Sequence, residues 1–264
     1  IETISENAEN EIDYTTFVED LNYFYDHPIN LNAADADDLR RLNLITELQI
    51  KNLQTYLSIN GPLLSIYEIN YIRGWDNEMV YMLLPFLEVA PVEEKKKTRL
   101  KSVWLYGKHE LVARFYDVLE QQEGFRRNEE DPTDGYLGPS YQTFLRYRFR
   151  YKDKVSLGFT AEKDRGEDWF GGTQPQGFDF YSAHLFLRDV GIFRKIAIGD
   201  YQLQFGQGLT MWTGIGFRKT AYTMNIKRFA VGLRQYTATN QFTFNRWAAA
   251  EVRLGPVDVT AFIS

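Results

Sequence analysis

Four carboxylates stand within seven residues at Glu162, Asp164, Glu167 and Asp168, beside Lys163 and Arg165. Oxygen donors at that density could hold a divalent cation such as Ca²⁺. The stretch 164–177 around them is polar and glycine-rich, so a solvated loop mouth fits the same residues, and no metal ligand is expected. A second set comprises Glu110, Glu162, His184, Asp200 and Glu251, interleaved with Arg114, Arg146, Arg148, Arg150 and Arg253. A hydrolase working through paired carboxylates would need two acids isolated in an otherwise uncharged pocket. The arginine density argues against that, and crossed salt bridges account for the pattern. Gly206-Gln-Gly208 follows a strand-like run, but no helix with phosphate-loop features comes after it, so it reads as a turn.

The histidines His27, His109 and His184 are far apart and form no metal-ligand spacing, and the chain has no cysteine. Disulfides, thiolate metal sites and a cysteine nucleophile are thereby excluded. No catalytic set and no cofactor are expected. No apolar run approaches the ~18–20 residues of a membrane-spanning helix, so any crossing would use strands. Aromatic residues make up 16% of the chain, a level expected where side chains sit at a membrane–water boundary. If the chain is exported, Ile1 is expected at or beyond a cleavage site.

Charge divides the chain. Residues 1–90 hold sixteen acidic and four basic residues, a net −12, whereas the whole chain carries −6, which leaves +6 on residues 91–264. The change falls at Val89-Ala-Pro-Val-Glu-Glu-Lys-Lys-Lys-Thr-Arg99, a charged stretch without apolar period that reads as a linker. Gly61 and Gly74 are the only two of 19 glycines before residue 100.

The first part carries helical signals. Phe17, Leu21, Phe24 and Tyr25 form one stripe, with Asp13 or Thr15 able to cap its start. Asn32 is expected to cap a helix whose first turn holds Asp35, Asp37 and Asp38 and whose Leu39, Leu42 and Leu44 point inward. Thr46 caps the next helix, with Leu48, Ile50, Leu53 and Leu57 as its apolar face, and Asn60-Gly-Pro62 stops it. Ser65-Ile-Tyr-Glu68 is a capping-box pattern, and Asp76 can cap a last helix through Leu84.

After residue 100 the period becomes two. In Tyr141–Tyr151 one set of positions is Tyr141, Thr143, Leu145, Tyr147, Phe149 and Tyr151, and the other holds Gln142, Phe144, Arg146, Arg148 and Arg150. Eleven residues match a tilted membrane strand. Similar alternation runs through 105–117, 155–162, 181–188, up to Phe205, and 248–263. Short turns at Lys152-Asp-Lys154, Asp189-Val-Gly191 and Gly255-Pro256 alternate with longer loops. A soluble antiparallel sheet with one wet face shares this alternation. Strand length and girdle-like aromatics favour the membrane. Seven or eight strands with the alternation still running at Ser264 predict an incomplete barrel, with further strands to come.

Ile29-Asn-Leu-Asn-Ala-Ala34, Leu39, Leu42, Asn60-Gly-Pro62, Ser65, Ile72-Arg-Gly74 and Leu84-Pro-Phe-Leu87 resemble the tandem helix-hairpin-helix module of competence-type DNA receptors over residues 28–90. DNA-binding members carry a Gly-x-Gly turn in each hairpin, whose N–H groups meet a phosphate. Here the candidate turns hold Leu44 and Ile45 in the first hairpin and Gly74, Trp75 and Asp76 in the second, and the net charge of −12 opposes a phosphate backbone. Leu105-Tyr-Gly-Lys-His-Glu110, Arg146-Tyr-Arg-Phe-Arg150, Phe159-Thr-Ala-Glu-Lys-Asp164, Gly177–Phe186, Gly199–Leu209 and Asn225-Ile-Lys-Arg228 resemble a family of Bacteroidota proteins that join a helix-hairpin-helix domain to an outer-membrane barrel. That resemblance implies location and architecture and carries no reaction.

The expected fold is α+β and multidomain. It comprises an N-terminal helix (1–27), an all-α tandem helix-hairpin-helix domain (28–89), a charged linker (90–102) and antiparallel strands of an outer-membrane β-barrel (103–264). Arg146, Arg148, Arg150, Glu162, His184 and Asp200 are expected to face its lumen. The expected protein is not an enzyme. It sits in the bacterial outer membrane with its acidic domain in the periplasm, and acts in binding, assembly or transport, as a subunit or plug of an export complex. Its partners are the lipid bilayer and other envelope proteins rather than nucleic acid. Two alternatives remain: a nucleic-acid receptor using the hairpin module, and a barrel enzyme acting on lipid.

Overall fold

The computed structural model describes residues 15–42, 44–92, 100–120, 122–125, 135–172, 174–213, 230–238, 243–255 and 257–264. The side chains of Thr15 and Phe17, the expected cap at Asp13, the linker stretch 93–99 and the segment 225–228 lie outside what is described. The chain divides into two units, one of residues 1–97 and 203–232, the other of 98–202 and 233–264.

In the first unit, α1 (Thr15–Asp26) leads to β1 (Ile29–Asn30), α2 (Ala36–Arg41), α3 (Glu47–Asn60), a 3₁₀ helix (Ile66–Tyr71), α4 (Asn77–Leu83), a second 3₁₀ turn (Leu84–Phe86) and β2 (Leu87–Glu88). Local chemistry sets these limits. Thr46 and Gln49 make a reciprocal capping box at the start of α3, and Gly61 ends that helix at φ +83 with its N–H on the Leu57 carbonyl. Asp76 accepts from the Met79 N–H at 2.8 Å and opens α4. Asp35, not Asn32, caps α2. Asn32 instead bridges distant backbone, donating to Leu63 and Ala90 and accepting from the Leu63 N–H.

The core of this unit gathers Leu31, Leu39, Leu42, Ile45, Ile50, Leu53, Ile69 and Leu83, all essentially inaccessible to water. Truncating any one of these leucines to alanine would cost about 2–5 kcal/mol, from lost transfer energy plus the cavity left behind. Leu48, expected on the apolar face of α3, is exposed. Arg41 and Asp20 form a buried ion pair at 3.1 Å, with the guanidinium 4.8 Å from the Phe24 ring centroid. Hydrogen bonding to Glu47 raises the pKa of Arg40 above its ordinary value.

The second unit begins with α5 (Leu100–Tyr106) and continues through β3 (Lys108–Tyr116), a 3₁₀ turn (Glu123–Phe125), β4 (Gln142–Tyr151), β5 (Val155–Lys163), β6 (Phe180–Val190), β7 (Phe193–Gln204), β8 (Gly232–Gln235), β9 (Asn245–Leu254) and β10 (Val257–Ile263). The strands make one antiparallel sheet in the order β10-β9-β7-β6-β5-β4-β3, with β8 pairing β7 off that path. The hairpin turns hold residues at positive φ: Lys152 at +47, Asp189 at +54, and Gly191 at +61.

This architecture overturns the fold expected from the sequence in two respects. The N-terminal region is not an all-α tandem domain: short helices share it with two 3₁₀ segments and a parallel ladder, Ile29 with Leu87 and Asn30 with Glu88. Asn30 stabilises the extended conformation there, since its side chain both accepts from the Ala90 N–H and donates to the Ala90 carbonyl. The dominant element is a single eight-stranded sheet that stays open, because among the described residues β3 pairs only with β4 and β10 only with β9. Alternation specifies a strand and its faces, whereas closure depends on matched stagger between the first and last strands, which alternation does not encode. The boundary expected at residue 102 also falls inside α5.

Candidate functional site

In an antiparallel ladder, directly paired residues project to the same side of the sheet. Glu110, Arg148, Gly158, His184 and Gly199 form one such row, and Arg146, Thr160 and Ser182 form the next. Arg150, Ser156, Phe186 and Ala197 follow on the same side, and Arg188, Lys195 and Glu251 extend it. The opposite side carries His109, Phe149, Leu157, Leu185, Ile198, Ala248 and Ile263 in one row, and Tyr151, Val155, Leu187, Ile196, Ala250 and Ala261 in another.

Exposure is inverted relative to a water-soluble sheet. On the polar side Lys195 is 2% exposed and His184 8%, while on the apolar side Ile198 is 51% exposed; Phe149 and Tyr151 on that side are buried. Buried charge on the polar side is met by partners. Arg148 donates to Glu110 at 2.6 Å, Arg188 to Asp153 at 3.1 Å, and Lys195 lies 3.4 Å from Glu251. The Ser156 hydroxyl lies 3.3 Å from Nε2 of His184. Burying these charges is costly, and opposite charges with hydrogen bonds offset that cost.

The six charges expected to face a lumen therefore separate. Because the sheet is open, the side that five of them share is its buried polar face. Arg146, Arg148, Arg150 and His184 are brought together there, and Glu162 joins the same side one row further, between Phe144 and Phe180. Asp200 lies outside those rows, paired with Arg246 on β9. The β6 ladder ends at His184 with Gly199, which sits at φ +91 with the Ala183 carbonyl only 2.1 Å from where a Cβ would be. Beyond this reversal the Asp200 carboxylate lies alongside the ladder, accepting from the Ala183 N–H at 3.2 Å and from Nε of Arg246 at 2.7 Å. Glycine alone tolerates that backbone.

Aromatic rings gather toward both ends of the apolar side. Near the short turns, Trp104 of α5 packs on Phe149 with centroids 5.2 Å apart. Near the long loops, Phe115 meets Tyr141 at 5.1 Å, and Tyr141 meets Trp169 edge-on at 5.8 Å. The contribution of α5 escaped the sequence, where its residues read as the end of a linker and the start of a strand.

The carboxylate cluster at 162–168 is knitted into the loop. Gln142 Nε2 donates to both Glu162 and Asp164, at 3.2 and 2.9 Å, and Lys163 Nζ donates to the carbonyls of Tyr141 and Asp164. Among the described residues, no group of three or more His, Asp or Glu side chains is placed to hold a metal ion. Burial, followed by the neighbouring carboxylates Asp179 and Asp164, pushes Glu167 up to about 7 despite the opposing Lys163. Gly206-Gln-Gly208 forms a turn, with the Gly208 N–H on the Phe205 carbonyl.

In the N-terminal unit, the candidate hairpin turns are consumed by the fold. Ile45 is fully buried and Leu44 packs against the core. The Trp75 N–H donates to the Ile72 carbonyl, its indole Nε1–H donates to Gln49, and the Gly74 carbonyl accepts from Gln49 Nε2 at 2.6 Å. Asp76 serves as a helix cap. Comparison of the chain with protein-family models, curated proteins and solved structures found no match.

Proposed function

We propose that this chain is a non-enzymatic protein of the bacterial outer membrane, acting in binding, assembly or transport, with its acidic N-terminal region in the periplasm. The observation that carries this reading is the inverted sheet, whose charged side is buried and whose aliphatic side is accessible. In water such a sheet would leave a large apolar surface uncovered; in a bilayer the same surface is solvated by acyl chains. Aromatic rings toward both ends of the apolar side suit the two membrane–water interfaces. The edge strands β3 and β10 then require partners, because unpaired backbone groups are costly in hydrocarbon. Another envelope protein supplying those strands fits a subunit of an export or assembly complex.

Because the chain has no cysteine, single cysteines carrying an environment-sensitive dye test the reading in the membrane-inserted protein. Dyes at Leu185→Cys and Ile198→Cys are expected to be quenched by spin-labelled lipid, and a dye at Ser182→Cys is not. Equal quenching at all three positions, or recovery of the protein in the aqueous fraction, would refute it.

A further inference from the structure

At the long-loop end of the second unit, three segments of the described residues border a cavity of about 390 Å³, open to solvent. Its walls come from the turn at 124–125, the loop 135–141 and the start of the loop after β5 at 168–169. We propose that this cavity is a carbohydrate-binding site for a neutral pyranose ring, with Trp169 and Tyr136 as stacking platforms and Asp168 as a hydrogen-bond acceptor for sugar hydroxyls.

The first support is that the cavity is built rather than incidental. The Tyr136 N–H donates to the Gly124 carbonyl at 2.8 Å, the Gly138 N–H to Gly166 at 2.9 Å, and the Gly166 N–H back to Pro139 at 3.0 Å. Those bonds tie the three segments together. Glycine is needed at each junction. A Cβ at Gly138 would lie 1.8 Å from the Glu167 carbonyl oxygen, and Cβ atoms at Gly124 and Gly166 would strike the Tyr136 ring at 2.4 and 2.6 Å. Tyr136 is thus held in place by the backbone around it, with Phe125 at 4.8 Å.

The second support is chemical. Despite that fixation Tyr136 remains 61% exposed, and Trp169 is 42% exposed. Rigid aromatic faces displayed to water beside a carboxylate suit a ligand with one apolar C–H face and a rim of hydroxyls, which is what a pyranose presents. Lys163 Nζ lies 4.7 Å from the Tyr141 ring centroid, so a cation already sits on one of the lining rings, and a cationic ligand is the competing outcome of the test. Polymeric and lipid-linked sugars share this chemistry, so the probes must separate them.

The site lies within the second unit; Trp169 and Tyr141 also belong to the aromatic group at the long-loop end, and sugar binding is tested separately from membrane insertion. The experiment is isothermal titration of the full chain in an amine-oxide detergent, chosen because maltoside headgroups would compete. The probes are maltohexaose, cellohexaose, laminarihexaose and a lipopolysaccharide core oligosaccharide, with tetramethylammonium as the cationic control. At least one sugar should bind, and Trp169→Ala and Tyr136→Ala should each weaken it about tenfold or more, while Trp169→Phe keeps most of the affinity. Asp168→Asn, nearly isosteric, should weaken binding while leaving the circular dichroism spectrum unchanged. Binding by a linear hexaose would identify a polysaccharide ligand, and binding by the core oligosaccharide alone a lipid-linked one. No heat of binding with any sugar up to about 10 mM, a level set by millimolar affinity, would overturn the proposal. So would sugar binding indifferent to Trp169 and Tyr136, or tetramethylammonium binding in its place.

Discussion

Gly158 and His184 face each other across β5 and β6, and the imidazole lies directly over the glycine, so that a Cβ there would sit 2.3 Å from Cε1 of the ring. The pair lets an imidazole, a serine hydroxyl and a row of guanidinium groups share one buried polar surface. Gly158→Ala is expected to destabilise the sheet by about 1–3 kcal/mol through overpacking. Adding His184→Ala should recover part of that loss, with a coupling of at least about 0.5 kcal/mol in a double-mutant cycle. Strictly additive urea midpoints would show that the two residues do not press on each other.

Leu185 lies on the apolar side of β6, the middle strand of the ladder from β3 to β10. If that side meets lipid, Leu185→Arg should cost about 2–4 kcal/mol in reversible unfolding from vesicles, the penalty for a cation near the bilayer midplane. Ser182→Ala, on the polar side of the same strand, should change stability far less. A reversed order would place the lipid on the other side.

Asp20 and Arg41 predict a large effect from a small change. Removing the carboxylate takes away an opposite charge 3.1 Å from a buried guanidinium, so Asp20→Ala should cost about 3–5 kcal/mol. Replacing both residues with leucine should cost much less than the single change. Thermal melts of the three variants decide, and an Asp20→Ala loss no larger than that of a surface substitution would contradict the buried pairing.

Glu167 supplies a pH dependence. Its pKa is raised from 4.5 to about 7, so the folded state holds a proton that the unfolded state releases. The native form then binds more protons over that interval, and stability falls as pH rises through it. The loop after β5 should be tightest below pH 4.5 and loosen as pH approaches 7. Hydrogen exchange at the Gly138 and Gly166 amides, which join this loop to its neighbour, reads the change. Glu167→Gln should flatten the profile, and an unaltered profile in that variant would assign the dependence elsewhere.

The full chain should give no mobility shift with duplex or single-stranded DNA, even at low salt where weak electrostatic binding is strongest. The Trp75 N–H, the group a hairpin turn would offer to a phosphate, is already spent on Ile72. Micromolar binding that weakens with added salt would reverse this expectation.

Strands were the most legible feature of the sequence. Alternation over 141–151 anticipated β4 within one residue, because a period of two survives in any sheet with chemically distinct sides. The caps at Thr46 and Asp76 were equally readable, since capping is settled within four residues. Other features depend on partners distant in the chain. Asn32 looked like a helix cap but is claimed by Leu63 and Ala90, some thirty and sixty positions away. Charged neighbours hid α5, whose clearest anchor is Phe149 on another element. The cavity around Tyr136 and Trp169 unites three loops, and no local pattern announces such a meeting.

The short ladder between β1 and β2 has a mechanical consequence. Its two strands run parallel and lie at opposite ends of the segment from residue 29 to residue 88. Tension applied before Ile29 and after Glu88 would pull them in opposite directions along their own axes, loading the ladder in shear rather than peeling it. The Leu31–Glu88 backbone bond and the three bonds linking Asn30 and Asn32 to Ala90 would bear that load together. The N-terminal unit is thereby a clasp, built to stay shut when the chain on either side of it is stretched.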